Sequence, residues 1–292
     1  MSPLDVVDTY GITVLDGLAY GLLLFCVAAG LTLIFGVMGV LNLAHGTLYL
    51  LGTYLAWAIF DGGWAGLALA VAAGAVAGAV GGAGLSVAMR PLAGRHLDQA
   101  LATLGIAFVA ADLFTAVFGA EPLPADPPTA LAGSVTMAGH SYPAWRLVFI
   151  GLAAVLASAL LLVLERSRAG AVVRAVAADE TMADATGIAT RTVQTAVLAA
   201  GGALAVAVGV LGAPVLGPAP GVDTTVLVQS LIVVVVGGFG SVRGAFVAAL
   251  GVGQIETLGV ALAPNLAPFL LFGVMLAVLS IRGGASAGVR MT

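Results

Sequence analysis

The chain has 292 residues, of which 61% are hydrophobic and 8% are charged, and its net charge is −4 at neutral pH. Soluble globular domains carry roughly 25% charged residues, so this composition excludes a water-soluble protein and indicates one that lies in a lipid bilayer. All ten basic residues are arginine, and without lysine the chain cannot contain a GxxxxGK(S/T) phosphate-binding loop.

Nine apolar segments follow one another along the chain. Most are close to the length of about 20 residues that a membrane-spanning helix needs, and the alternating polarity of transmembrane β-strands is absent. The sequence therefore predicts an all-α, polytopic transmembrane helical bundle that forms one domain over residues 1–292. The segments cover about residues 17–38, 42–60, 64–89, 99–118, 147–165, 193–212, 225–240, 244–262 and 267–281.

The turn between the first two segments contains two polar side chains, Asn42 and His45. A role in a gate or in packing fits this position better than substrate binding. Asn is also a common residue at helix N-termini, so an alternative is that Asn42 caps the second segment.

The third segment places small residues at nearly every fourth position over 63–89. Helices in lipid associate through close backbone contact at such residues, so this pattern predicts a packing surface. The alternative is that it reflects only the general abundance of Ala and Gly.

Two loops are long. The outer loop, 119–146, contains too many prolines for a helix to continue through it. The inner loop, 166–192, is the most polar stretch of the chain, and its sequence DETMADA predicts a short helix over 179–187 that ends at Gly187. Such a loop either only connects two helices or offers a docking surface to another protein.

The arginines are distributed unevenly between the nine segments. If the N-terminus is outside, nine arginines lie inside and only Arg146 lies outside. Cytoplasmic loops of membrane proteins are enriched in basic residues, so the sequence predicts an outer N-terminus and an inner C-terminus. The inside arginines are Arg90, Arg95, Arg166, Arg168, Arg174, Arg191, Arg243, Arg282 and Arg290.

Two acidic residues, Asp112 and Glu256, lie away from both ends of their apolar segments. A charge within a membrane is costly and normally faces the bundle interior or water. These carboxylates either meet the ammonium group of a zwitterionic substrate or accept hydrogen bonds from neighbouring helices.

Residues 33–51 resemble residues 231–249 at an offset of 198 residues. The alignment matches Gly39 with Gly237, Gly46 with Gly244 and His45 with Arg243. Because the offset covers six segments, the copies would have the same orientation and form a parallel internal repeat. The glycines would then lie at matched positions beside a central pathway; the alternative is chance similarity in a chain rich in Gly and Val.

Several kinds of chemistry lack their sequence signals. The histidines His45, His96 and His140 lie in different loops without the spacing of a metal site, and neither GxSxG nor HExxH occurs. We therefore expect no catalytic residues, no metal, no cofactor and no nucleic-acid partner.

Three stretches of the sequence are similar to one known family. They are GLTLIFGVMGVLNLAHG within 17–57, RAVAADETMADATGIATRTV within 174–211, and GGFGSVRGAFVAALGVGQIE over 237–256. Together they resemble the permease subunits of branched-chain amino acid ABC transporters of the Liv type, and NLAHG resembles the H-like rather than the M-like subunit.

This resemblance implies a permease in the bacterial inner membrane that forms half of a pathway for branched-chain or related amino acids. The implied partners are an M-like second permease, two cytoplasmic ATP-binding subunits, a periplasmic substrate-binding protein and membrane lipid. It also identifies 166–192 as a coupling loop, whose contacts with the ATPases we expect at Asp179, Glu180, Asp184 and Gly187. The alternative is a secondary transporter or channel that uses an ion gradient, although the relays of charged residues expected of one are absent.

Overall fold

The computed structural model describes residues 3–137 and 139–288, and the side chains of residues 10–137, 139–267 and 269–280. Within these residues the chain forms eleven α-helices and one short β-hairpin. The helices are α1 Pro3–Met38, α2 His45–Ile59, α3 Trp64–Met89, α4 His96–Phe118, α5 Ala144–Arg166, α6 Arg168–Ala178, α7 Glu180–Ala185, α8 Thr190–Gly212, α9 Val222–Gly237, α10 Val242–Leu262 and α11 Ala267–Gly288. The strands are β1 Ser134–Met137 and β2 His140–Pro143, which pair antiparallel.

The nine predicted apolar segments overlap α1–α5 and α8–α11. In the described part of the chain, six helices are long and apolar enough to cross a membrane, and α9 and residues 269–280 of α11 are shorter apolar helices. The chain is therefore a multi-pass helical membrane protein, whereas nine crossings, their orientation and the internal repeat remain predictions. The six are Tyr10–Met38, Trp64–Leu92, His96–Phe118, Ala144–Arg166, Thr190–Gly212 and Val242–Leu262.

Helix α1 forms the centre of the bundle. Every residue from Leu22 to Leu31 is buried, so this stretch of the helix is enclosed on all sides, and α1 packs against α5, α8, α9 and α10. An apolar helix that is surrounded by others needs no polar face, which explains why its sequence shows only a continuous hydrophobic run.

Helices α3 and α8 approach each other through glycine. A Cβ atom added at Gly78 would lie 2.2 Å from the Gly202 carbonyl oxygen, and one at Gly82 would lie 2.1 Å from the Leu198 carbonyl oxygen. By contrast, a Cβ atom at Gly84 would meet nothing within 4 Å. The packing interpretation of 63–89 is therefore correct for one face of α3, and composition alone accounts for Gly84.

The outer loop contains the β-hairpin, which the all-α prediction did not include. Tyr142 on β2 is buried, and its hydroxyl donates to Asp16 of α1 at 3.0 Å. Burial, and next the Asp16 carboxylate, raise the pKa of Tyr142, which keeps this hydroxyl a donor. Arg146, in the first turn of α5, also forms an ion pair with Asp16, so the hairpin and the start of α5 are both attached to α1.

The inner loop differs from the prediction in one respect. It forms two helices, α6 and α7, rather than the single short helix expected over 179–187. Helix α6 begins after Ser167, whose hydroxyl oxygen accepts a hydrogen bond from the Gly170 N–H and so caps the helix.

Candidate functional site

The segment between α1 and α2 runs back into the bundle. His45, the first residue of α2, donates from Nε2 to the Val27 carbonyl oxygen at 3.0 Å. Val27 precedes the end of α1 by eleven residues, which is about 16 Å along a helix axis. Helix α2 therefore begins well within the length of α1, although the hydropathy pattern indicated an ordinary turn at the end of two segments.

The non-helical backbone of 39–44 is bonded inside the protein. The Leu43 N–H donates to Thr103 Oγ1 of α4 at 3.0 Å, and the Ala44 N–H donates to Asn42 Oδ1 at 3.1 Å. Irregular backbone inside a membrane protein needs such internal partners because lipid offers none. Asn42 thus bonds the residue that precedes α2; the N-cap itself is Ala44, which has no capping side chain.

This segment brings four helices into close contact. A Cβ atom added at Gly30 in α1 would lie 3.0 Å from the His45 ring and 3.2 Å from the Gly201 Cα atom of α8. A Cβ atom at Gly46 would lie 2.1 Å from the Asp223 carbonyl oxygen at the start of α9. His45 Nδ1 and Asn42 Nδ2 are buried and have no hydrogen-bond partner among the described residues, so this junction contains polar groups that are not yet satisfied.

The other candidate pathway residues lie in different places. Asp112 is exposed on α4, whereas Glu256 is partly buried on α10 close enough to Tyr20 to act on it electrostatically. Gly237 and Gly244 pack directly against each other where α9 and α10 meet, since a Cβ atom at Gly244 would lie 1.9 Å from the Gly237 carbonyl oxygen. These four residues therefore do not form one site with Asn42 and His45.

The structure also shows buried polar residues that the sequence reasoning missed. Asp223 is 6% exposed, and Gln229 accepts a hydrogen bond from the Tyr20 hydroxyl of α1. Asp223 lies two residues before the predicted start of its segment at residue 225, so hydropathy gives no sign of its burial. Gln229 carries no charge, but a search for amides within apolar runs would have found it.

Helix α7 has well-defined ends. The Asp179 side chain accepts from the Met182 N–H at 2.9 Å and caps the first turn. At the other end Gly187 adopts φ +89°, while its N–H donates to Asp184 and the Ile188 N–H donates to Ala183. This is a Schellman motif, which needs a left-handed residue at the position of Gly187. The short helix predicted over 179–187 is thus present as Glu180–Ala185.

One face of α7 rests on the bundle and the other is exposed. Ala183 is buried in a cluster with Ile34 and Val37 of α1 and with residues of α3 and α8. Glu180 also accepts a hydrogen bond from Gln194 of α8 at 2.8 Å. On the outer face Met182 is 63% exposed. Helix α7 therefore packs against α6 and α8, and through Ala183 it joins an apolar cluster that includes residues of α1 and α3.

Cavities lie at both ends of the bundle. One of about 710 Å³ separates α7 from the starts of α4 and α8, and Glu180, Asp184 and Arg191 line it. Another, of about 440 Å³, lies beneath the outer loop at the end of α2 and is lined by Trp57 and Asp61. The outer loop bonds to neighbouring loops over this cavity, since Leu123 N–H donates to the Pro218 carbonyl and Thr129 N–H donates to the Gly62 carbonyl.

These features define the class of protein as a multi-pass helical membrane protein with a short helix, α7, packed against one end of the bundle. Residues 13–279 match the family described as "Branched-chain amino acid transport system / permease component". The match covers most of the chain, and the protein belongs to this family. A family of transport permeases is not a family of enzymes.

Curated relatives carry the same description. The chain is 28% identical to the high-affinity branched-chain amino acid transport system permease protein LivH of Escherichia coli K12 over 269 residues, which is 83% of each chain. It is 27% identical to the BraD permease protein of Pseudomonas aeruginosa over 284 residues, covering 91% of this chain and 92% of that one. No solved structure matches the chain significantly.

Proposed function

We propose that this chain is the transmembrane permease subunit of an ABC importer and forms half of the translocation pathway for branched-chain or related amino acids. The observation that carries this proposal is the continuous family match over residues 13–279. The relatives LivH and BraD are both named as high-affinity branched-chain amino acid transport system permease proteins. The exposed outer face of α7 and its buried inner face fit a subunit that receives force from another protein.

The proposed assembly contains a second, M-like permease, two cytoplasmic ATP-binding subunits and a periplasmic substrate-binding protein, all in or at the bacterial inner membrane. A permease of this family works within a transporter complex. The absence of lysine, and hence of a phosphate-binding loop, is consistent with ATP hydrolysis on other subunits.

We assign the candidate residues separate roles in coupling to ATP hydrolysis and in the translocation pathway. Asp179, Glu180, Asp184 and Gly187 form and shape the α7 surface that contacts the ATPases. The segment 39–45, with Asn42 and His45, acts as a gate, because non-helical backbone can exchange hydrogen bonds without unwinding a helix. Gly237 and Gly244 let α9 and α10 move as a closely packed pair, while Asp112 and Glu256 are candidates for contact with the partner permease or the substrate.

Coexpression tests the function directly. When the chain is coexpressed with its candidate partners and purified from membranes through an affinity tag, the ATPases and a second permease should copurify with it. The assembled complex in vesicles should take up leucine, isoleucine or valine only with ATP and the binding protein. The chain alone should bind no nucleotide, and saturable ATP binding by the isolated subunit would contradict the proposed division of labour.

The proposed orientation gives a separate prediction. Ala130 in the outer loop and Glu180 on α7 are both exposed, while the natural cysteine Cys26 is buried. In intact spheroplasts a membrane-impermeant maleimide should label A130C, and it should label E180C only after the membrane is opened. Labelling of E180C from outside would reverse the topology and place α7 out of reach of any cytoplasmic ATPase.

A further inference from the structure

A groove of about 430 Å³ opens between α1, α5, α6 and the turn that joins α9 to α10. It lies at the arginine-rich end of the bundle, and it reaches the last two turns of α1. Its deeper walls are aliphatic and come from three helices. They include Leu33, Val37, Leu161, Leu164 and Val173.

The rim of the groove is positively charged. Arg243 donates from Nε and Nη2 to the Glu165 carboxylate, with Nη2 and Oε2 2.6 Å apart, and its side chain is 78% exposed. Arg174 donates from Nη1 to the Leu164 carbonyl oxygen. A guanidinium has five N–H donors, so both arginines retain donors beyond these bonds. The charge of Arg166 also reaches Glu165, which leaves three arginines around one carboxylate.

We propose that this groove binds an anionic phospholipid of the inner leaflet. Its phosphate would accept hydrogen bonds from Arg174 and Arg243, and one acyl chain would lie against the aliphatic walls contributed by α1 and α5. Basic pockets between transmembrane helices on the cytoplasmic side take such headgroups. Free phosphate would leave the apolar walls uncovered, and a zwitterionic lipid would leave the excess arginine charge uncompensated.

The position of the groove gives the lipid a structural consequence. Helix α6 forms one wall and directly precedes α7 in the chain, and the α9–α10 turn forms the opposite wall. A lipid bound between them would brace α6 against α1 and α10. This site is separate from the cavity beside Glu180 and Asp184.

The test uses the full chain in nanodiscs that contain equal parts of phosphatidylglycerol and phosphatidylcholine. Phosphatidylglycerol retained per chain is counted by native mass spectrometry, and a photoactivatable phosphatidylglycerol identifies the labelled peptides. The double variant R174Q/R243Q should bind phosphatidylglycerol about 30-fold more weakly, because each surface arginine contributes roughly fivefold to the affinity for anionic lipid. Removing Arg243 also leaves Glu165 as an unpaired carboxylate that repels phosphate.

A matched control exists on the same side of the bundle. Arg95 is likewise exposed and ion-paired, with Asp98, but it lies outside the groove. The variant R95Q should therefore retain phosphatidylglycerol as the unaltered chain does. A second variant, A177F, fills the groove from the exposed side of α6 without changing its charge, and it should also lose the lipid label.

The outcomes separate the alternatives. Photolabelling of residues 161–177 and 240–243 that is lost in both R174Q/R243Q and A177F supports a lipid with its headgroup and chain in the groove. Displacement of the label by millimolar inorganic phosphate alone would overturn it in favour of a simple anion site. Equal retention of phosphatidylglycerol in all variants would also overturn the lipid proposal, and this result is expected if another protein covers the groove.

Discussion

Replacing Gly78 with valine should prevent the bundle from assembling, whereas the same replacement at Gly84 on the same helix should be tolerated. A Cβ atom at Gly78 would lie 2.2 Å from the Gly202 carbonyl oxygen and 2.8 Å from Val206 Cγ2. The first of these atoms belongs to backbone and cannot move aside like a flexible side chain. At Gly84 a Cβ atom would meet nothing within 4 Å.

The expected effect is large because this contact is the main attachment of α3. Helices in lipid gain no hydrophobic driving force from association and depend on close packing. Overpacking typically costs about 1–3 kcal/mol even where side chains can adjust, and here α3 and α8 would have to separate. Both variants add the same side chain to the same helix, so helix propensity and hydrophobicity are matched.

The measurement is the fraction of monodisperse protein after detergent extraction, followed by size-exclusion chromatography of a fluorescent fusion. G78V should give little folded protein, and G84V should give a yield close to that of the unaltered chain. G202A should resemble G78V, because a Cβ atom there would lie 2.3 Å from the Gly78 carbonyl oxygen. Similar yields for G78V and G84V would show that α3 and α8 do not pack as the structure places them.

Much of the helical architecture could be predicted because hydropathy reports directly on burial in lipid. Hydropathy placed the start of α2 within three residues along the chain, but it could not reveal how deep in the bundle that start lies, because side-chain polarity carries no information about depth. The His45 contact with Val27 depends instead on tertiary packing. The same limit applies to Asp223, whose burial results from the approach of α2 to the start of α9.

The inner loop shows what local signals can and cannot provide. Gly187 predicted the end of the short helix correctly, because a helix C-terminus depends on neighbouring residues, and the observed helix Glu180–Ala185 lies within the predicted range 179–187. Helix α6 was missed because its arginines and alanines show no membrane-like apolar run, and its stability depends on packing beside α5 and α1. The β-hairpin was missed because a proline-rich loop gives little alternation over strands of four residues.

Replacing Gly187 with proline should uncouple transport from ATP hydrolysis without removing the protein from the membrane. Gly187 adopts φ +89°, whereas proline requires φ near −65° and lacks the N–H that donates to Asp184 at 2.9 Å. Proline at an incompatible position costs about 3 kcal/mol or more, which corresponds to a roughly 100-fold loss of the native α7 conformation. Uptake per assembled complex should fall by a similar factor.

Charge reversal tests the same surface without altering the backbone. The double variant E180K/D184K removes the hydrogen bond from Gln194 to Glu180 and places two cations on a surface that is acidic in the native chain. It should abolish uptake in the same way, because contact with the ATPases and the link to α8 would both be changed. Membrane insertion should survive, since α7 lies outside the helices that are long and apolar enough to cross a membrane.

Gly119 provides the matched control for the proline variant. It also ends a helix, adopts φ +92°, and has open space around its Cα atom, but it lies at the opposite end of α4 from the inner loop. G119P therefore imposes a comparable backbone strain away from α7 and should leave ATP-driven uptake largely intact. The measurements are leucine uptake and ATP hydrolysis by reconstituted complexes, normalised to the amount of each subunit. Full uptake by both G187P and E180K/D184K would mean that 166–192 only connects α5 to α8, and force from the ATPases would then have to enter the permease elsewhere.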